Sequence, residues 1–331
     1  MDVFLRPGLF SKEQNFKPFE AGMLYDVIIV GGGPAGFTAA VYCLRKGLST
    51  GIIVKQMGGQ VAETSGIENY LGYRYINGLE LTDKFREQVA QFGIAFAEGV
   101  AVSSIEDGDV KKVLLDDGRS FSAKALIIAS GKTWRKLGVP GEQALTGRGV
   151  AYCTICDAPL FAGKKVVVVG GGNSGLESAI DLAKVASQVT VVQLIDHLTG
   201  DKVLIDMLAR YPNVTYVYKH EVVEILGERQ VQSVIIVNRK TQIKRILAVD
   251  GVFVEIGLVP NSSFAKGVVA LNQNDEIVVD GVGQTSRPGI FAAGDVTSVP
   301  FKQIIIAGGE GAKAALTATD YILKQEILSG K

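Results

Sequence analysis

Asp26-Val27-Ile28-Ile29-Val30-Gly31-Gly32-Gly33-Pro34-Ala35-Gly36 joins a short apolar run to glycines spaced Gly-x-Gly-x-x-Gly, and apolar side chains then recur at helical spacing over residues 37–46. Strand, tight turn and helix in that order can cradle an anion. The first glycine permits the turn, the second lets the backbone approach a pyrophosphate, and the third lets helix pack on strand. A single copy is weak evidence, because an ordinary tight turn reads the same way. The chain holds a second copy: Lys165-Val-Val-Val-Val169, Gly170-Gly171-Gly172-Asn173-Ser174-Gly175, a helical stretch over 176–185 and a further strand over 188–193. The distance between the copies is a domain spacing, not that of a solenoid repeat. Two dinucleotide-binding units are therefore expected.

Outward from these cradles, residues 111–117 and 119–125 read as a hairpin around Asp117-Gly118, leading into the buried run 125–131. Strands are expected over 214–218, 231–238 and 251–256. A small-residue-rich helix is expected over 303–323, interrupted near Gly308-Gly309. Residues 1–22 carry Phe4, Phe10, Phe16 and Phe19 without a clear period, and read as a tail laid over its own domain more readily than as a docking arm.

The 331 residues suffice for two domains with cores of their own. The 40 glycines exceed the ~7% average and fit a chain of tight turns and close backbone approaches. Charge is balanced, 34 basic against 34 acidic residues, which speaks against nucleic acid or an anionic membrane as partner. Three cysteines do not make a secreted disulfide framework, and neither a signal-peptide pattern nor a membrane-spanning apolar run is present, so a cytoplasmic location is expected.

Between the cradles lies Cys153-Thr154-Ile155-Cys156-Asp157. Two thiols at this spacing can close into a disulfide, and the local field can hold one as a thiolate. Structural zinc is the competitor, but zinc takes four ligands. The chain offers besides these only Cys43, read as a buried core thiol, and His197 and His220 without metal spacing. Redox chemistry is favoured and no metal is expected.

In order along the chain, Gly31 to Gly36, the Gly58-Gly59-Gln60 turn, Glu68-Asn69-Tyr70-Leu71-Gly72, Cys153 to Asp157, Gly170 to Gly175, and Ala292-Ala293-Gly294-Asp295 through Gln303 resemble the low-molecular-weight thioredoxin reductases over residues 23–325. Phe301-Lys-Gln-Ile-Ile-Ile-Ala resembles in particular the flavoprotein component of alkyl hydroperoxide reductase. That component carries an N-terminal thioredoxin-like extension where only a short tail stands here, so a stand-alone thioredoxin-reductase-like enzyme is the expectation.

The resemblance implies an α/β protein of two Rossmann-like dinucleotide-binding domains, the second inserted in the first. An FAD domain would comprise residues 1–134 and 260–331, with 1–22 as its tail, and an NAD(P)H domain with the redox pair would comprise 135–259. It implies hinges at 131–137 and 257–261, and a homodimer through the FAD domains. FAD contacts are implied at Gly31, Gly33, Pro34, Ala35, Gly36, Gly59, Gln60, Asn69, Gly294, Asp295, Gln303 and Ile304. NAD(P)H contacts are implied at Gly170, Gly172, Asn173, Ser174, Gly175 and Gln193. Cys156 would face the flavin, Cys153 would attack the disulfide of a thioredoxin or glutaredoxin-like partner, and Asp157 would be the general acid. For the three polar residues there are simpler readings: Asp157 as a helix or turn cap, Asn69 as a turn residue, Asp295 as a helix cap. The implied enzyme is an NAD(P)H-dependent thioredoxin-disulfide reductase. Competing readings are a ferredoxin or flavodoxin oxidoreductase, which would not need the cysteine pair, and a flavin redox sensor without turnover.

Family members that use NADPH carry an arginine cluster after the second strand of the nicotinamide unit. The stretch here is Val191-Val-Gln193-Leu-Ile-Asp196-His197-Leu. Gln193 can bond a ribose hydroxyl but cannot neutralise a 2′-phosphate, and Asp196 would repel one, so NADH is expected over NADPH, with weak affinity for both. Lys202 is the nearby residue that could supply the missing charge.

Overall fold

The computed structural model describes residues 15–64 and 67–328, together with the backbone but not the side chain of Cys156. Phe4 and Phe10 lie outside the described residues. The chain divides into two compact units, one of residues 1–63, 69–133 and 259–331, the other of residues 64–68 and 134–258.

In the first unit an eight-stranded sheet runs Phe16–Lys17, Ile94–Glu98, Thr50–Val54, Leu24–Val30, Ser120–Ile128, Lys111–Leu115, Val102–Glu106, with Ile290–Ala292 also beside Ser120–Ile128. Leu24–Val30 is central and parallel to both its neighbours. Val27 and Ile29 enter one hydrophobic cluster and Ile28 and Val30 the other. Both faces are covered, and so the strand reads as an unbroken apolar run instead of alternating.

The second arm of the expected hairpin and the buried run after it are one nine-residue strand that changes partner midway. Its first half is antiparallel to Lys111–Leu115, with Leu114 opposite Ser120. Its second half is parallel to Ile290–Ala292, with Leu126 opposite Ile290. Its burial changes from alternating to continuous at the same place. Phe16 and Phe19 lie on this unit: Phe19 stacks on Phe121 with ring centroids 4.2 Å apart, and Phe16 meets Phe96 at 4.5 Å.

The last helix, Ile304–Leu328, is continuous, which corrects the interruption expected at Gly308-Gly309. Glycine in this helix serves a close crossing. A Cβ at Gly311 would collide with the Ala35 carbonyl oxygen of the helix Pro34–Arg45, and one at Gly308 would lie 3.4 Å from Thr38 Oγ1. Packing gained at the crossing outweighs the low helix propensity of glycine. Gly311→Ala is expected to lower stability by about 1–3 kcal/mol through overpacking, read as a lower urea midpoint with unchanged slope.

The second unit has a parallel sheet in the order Val214–Tyr218, Gln188–Gln193, Lys165–Val169, Gly251–Val254, Val150–Ala151. Its central strand again sends alternate valines to two clusters, Val166 and Val168 to one, Val167 and Val169 to the other. An antiparallel sheet of His220–Leu226, Ser233–Asn238 and Lys244–Ala248 accompanies it. Its outer strands are not expected from sequence. His220–Leu226 starts directly after Tyr218, the chain reversing at Lys219 with φ +58, and Lys244–Ala248 is largely exposed, so neither shows a clean period of two.

Candidate functional site

The two glycine cradles have the same local construction. Gly31 and Gly170 sit at φ +119 and +122, a region L side chains rarely adopt, and a Cβ would collide with the carbonyl oxygens of Ala129 and Glu255 respectively. At Gly36 and Gly175 a Cβ would collide with the carbonyl oxygens of Gly31 and Gly170. The fold itself therefore demands the first and third glycines.

The middle glycine is different. Gly33 (φ −91, ψ −171) and Gly172 (φ −84, ψ −176) have backbone angles open to any residue. A Cβ there would meet nothing nearer than the Gly58 carbonyl oxygen or Thr199 Oγ1, each 3.8 Å away. Neither helix receives a side-chain cap or carries an acidic residue in its first turn. Space kept clear before unneutralised helix N–H groups is what a pyrophosphate requires. Both cradles fit a dinucleotide.

Further residues of the first unit converge near its cradle. Pro34 opens the helix and Ala35 is buried; a Cβ at Gly294, φ +75, would come within 2.9 Å of Ala35 Cβ. Gly58 and Gly59 have φ +74 and +55. A Cβ at Gly59 would meet nothing within 4 Å. Gln60 donates from Nε2 to the Lys132 carbonyl at 2.8 Å. Asn69 donates to Gln303 Oε1 at 3.1 Å, so two residues far apart in the chain meet just before Ile304 opens the last helix.

Asp295 lies within the short turn Gly294–Val296 and does not cap the last helix. Burial pushes its carboxyl above the usual range, while the charges of Lys302 and Lys132 pull it down. Among the described residues none donates it a hydrogen bond, so it is an acceptor suited to a hydroxyl of a bound group. Lys132 pairs with Glu276 at 2.5 Å, and Lys302 approaches the same carboxylate at 3.8 Å. Burial pushes the Lys302 ammonium down, and Lys132 adds to that. Sequence reasoning missed Lys132, Glu276 and Lys302, which share no motif.

In the second unit Cys153 precedes the short helix Thr154–Asp157 and is disulfide-bonded. Asp157 is the last residue of that helix, its N–H donating to the Cys153 carbonyl at 3.0 Å, and it stands at the N-cap position of the following turn Ala158–Phe161 without a side-chain capping bond to that turn. Cys43 is a free thiol buried in the first unit, and burial pushes its pKa up to about 12, which leaves it inert at neutral pH. Asn173 is held by Asp201, donating to Oδ2 at 3.0 Å and accepting from the Asp201 N–H at 2.7 Å.

Gln193 is buried, with its amide donating to the His197 carbonyl at 3.3 Å and accepting from the Leu194 N–H at 3.1 Å. It braces the loop that follows its strand. Asp196 is exposed between His197 Nδ1 at 3.0 Å and Lys219 at 3.2 Å, and these two partners hold its carboxyl below the usual range. Lys202 pairs with Asp206 at 3.2 Å. His220 is buried, its Nδ1 2.6 Å from the Tyr218 carbonyl oxygen.

A polar cluster not foreseen from sequence lies beside the redox motif. Glu255 accepts from Ser178 Oγ at 2.6 Å and Thr154 Oγ1 at 3.2 Å. Burial pushes its carboxyl above the usual range against the pull of hydrogen bonds from Ser178, Thr154 and Ser174. Its place directly after the apolar strand Gly251–Val254, at the carboxyl end of a parallel sheet, was the available signal.

Residues 25–311 match the model of the pyridine nucleotide-disulphide oxidoreductases. The chain is 46% identical over 304 residues to the F subunit of alkyl hydroperoxide reductase from Pseudomonas putida, covering 91% of this chain and 58% of that protein. It is 43% identical over 300 residues to an NADH dehydrogenase of Ferdinandcohnia aciditolerans, with 91% and 58% covered. It therefore spans a little over half the length of these curated relatives. Among solved structures, thioredoxin reductase from Streptococcus pyogenes superposes with a TM-score of 0.83 at 41% identity, covering 91% of this chain and 99% of that one. With two dinucleotide cradles, a disulfide-bonded Cys153 and these relatives, the chain belongs to the pyridine nucleotide-disulphide oxidoreductases, a family whose cofactors are FAD and NAD(P)H.

Proposed function

We propose that this chain is a flavin-dependent disulfide reductase that passes electrons from NADH or NADPH, through FAD and the Cys153/Cys156 pair, to the disulfide of a thioredoxin or glutaredoxin-like protein. The observation that carries this reading is the disulfide at Cys153 in the same compact unit as the second cradle. In the proposal the first cradle, with Gly59, Gln60, Asn69, Gly294, Asp295, Gln303 and Ile304, holds FAD. The second, with Asn173, Ser174 and Gln193, holds the nicotinamide nucleotide.

A bound flavin supplies a two-electron relay between a nicotinamide and a disulfide. The chain's own residues do the rest. Backbone N–H groups at the starts of Pro34–Arg45 and Asn173–Ala183 hold the pyrophosphates. Asp295 would accept from a hydroxyl of the flavin side chain, and the ammonium groups of Lys132 and Lys302, gathered on Glu276, draw its carboxyl towards the charged form. Cys153 acts as the attacking thiolate on the partner, Cys156 resolves the mixed disulfide, and Asp157 gives a proton to the leaving thiolate. The proposed protein works in the cytoplasm as a homodimer; among the described residues no helix is long and apolar enough to cross a membrane. Steady-state reduction of a model disulfide by the purified protein and NADH tests the activity. Capture of an endogenous partner as a mixed disulfide on Cys156→Ser identifies the substrate.

NADH is the proposed donor. Asp196 would repel a 2′-phosphate, residues 191–198 hold no arginine or lysine, and the nearby Lys219 and Lys202 face Asp196 and Asp206. Anaerobic titration of the bound flavin is expected to show bleaching at lower NADH than NADPH, by about tenfold or more, the scale of one lost charge-assisted contact. Tighter bleaching by NADPH would sink the preference. Bleaching by neither would point to a ferredoxin, a reduced flavin or a sensor role.

A further inference from the structure

Two hydroxyls bond one carboxylate within the second unit, and a third, that of the exposed Ser174, lowers the carboxyl's pKa. Thr154 belongs to the redox motif itself, Ser178 to the helix Asn173–Ala183, and Ser174 to the fingerprint at that helix's start. Thr154 and Ser178 are 5% and 4% exposed and their hydroxyls bond to each other as well as to Glu255. Glu255 is partly buried, and even partial burial of a carboxylate is costly, whereas apolar side chains of the same volume would hold two helices together at less expense. The charge that faces Glu255 is another carboxylate, Glu177, which adds to that cost. A buried polar network that is fully bonded fixes orientation more sharply than apolar contact does.

We propose that Glu255 is a positioning residue for the redox pair: by accepting from Thr154 and Ser178 it latches the Cys153-bearing turn to the fingerprint helix and favours the disulfide form. The inference rests on the redox reading of Cys153 and Cys156. Its physical basis is that the latch is closed while Cys153 is disulfide-bonded. Opening any disulfide moves its two sulfur atoms from bonded to non-bonded contact, so the turn must relax, and bonds that pin Thr154 oppose the relaxation.

The test is an anaerobic redox titration of the FAD-loaded protein against mixtures of reduced and oxidised dithiothreitol, without any pyridine nucleotide. In each exchange one dithiothreitol loses two electrons and two protons and closes its ring disulfide, while the protein disulfide gains both and opens to two thiols. The fraction reduced is read by acid quench, alkylation and mass spectrometry of the Cys153 peptide. Thr154→Val, Ser178→Ala and Glu255→Leu are each expected to reach half-reduction at about five- to tenfold lower ratio of reduced to oxidised dithiothreitol, the effect of one or two net hydrogen bonds. Thr154→Ser, which keeps the hydroxyl, is expected to titrate as the parent.

Titrations of Thr154→Val and Ser178→Ala that superpose on the parent would overturn the latch, and so would a Thr154→Ser shift as large as that of Thr154→Val. Because Thr154→Val is isosteric, it carries the test even if Glu255→Leu does not fold. Reduction of the pair by NADH is measured separately on the parent, so a failure of the donor reading leaves the dithiothreitol result standing on its own.

Discussion

Cys153→Ser and Cys156→Ser proteins are each expected to lose protein-disulfide reduction to below about one-thousandth of the parent rate, while NADH still bleaches the flavin. Disulfide exchange needs a thiolate to attack and a second thiol to resolve, and a serine hydroxyl remains protonated at neutral pH. The two variants should fail differently. If Cys156 faces the flavin, Cys153→Ser leaves its thiolate there and should develop a long-wavelength charge-transfer absorption, whereas Cys156→Ser should lack that band and trap the partner as a mixed disulfide. Identical spectra from the two would reverse or void the role assignment, and full activity in either would remove the pair from the reaction. Cys43 is a built-in control. Its thiol is buried and pushed up to about 12, so it should resist alkylation in the native state and not substitute for either partner.

Gly33→Leu is expected to yield a folded protein that is colourless, its affinity for FAD reduced by about a hundredfold or more. The backbone at Gly33 is extended and a Cβ would meet only the Gly58 carbonyl oxygen at 3.8 Å, so the protein itself tolerates a side chain there. The added volume falls where a pyrophosphate must approach the backbone. Gly31→Leu is the contrasting case, since its side chain would collide with the Ala129 carbonyl and demand φ +119, and it should fail in folding. Flavin absorbance after gel filtration, with far-UV circular dichroism for folding, separates the two outcomes. A Gly33→Leu protein that stays yellow would show that this cradle does not hold the flavin.

What can be read from the sequence is local. Asp26 to Gly36 and Lys165 to Gly175 each bind an apolar strand, a turn that only glycine can make and a helix into one continuous segment, so their meaning depends on neighbours within about a dozen residues. The cysteine pair is legible for the same reason. The expected break in the last helix fails because glycine's low propensity is a local property, whereas the crossing of Gly311 over Ala35 that uses it is not.

The sequence by itself thus determined the two dinucleotide units and the redox pair between them. Only the tertiary structure decided that Ser120–Ile128 exchanges one partner strand for another, that Asn69 meets Gln303 across 234 residues, and that Glu255 gathers Thr154 and Ser178 from 101 and 77 residues away. Strand pairing and side-chain packing bring such residues together after the chain has closed its loops, and no periodicity or spacing along the chain encodes which carboxylate a given hydroxyl will find.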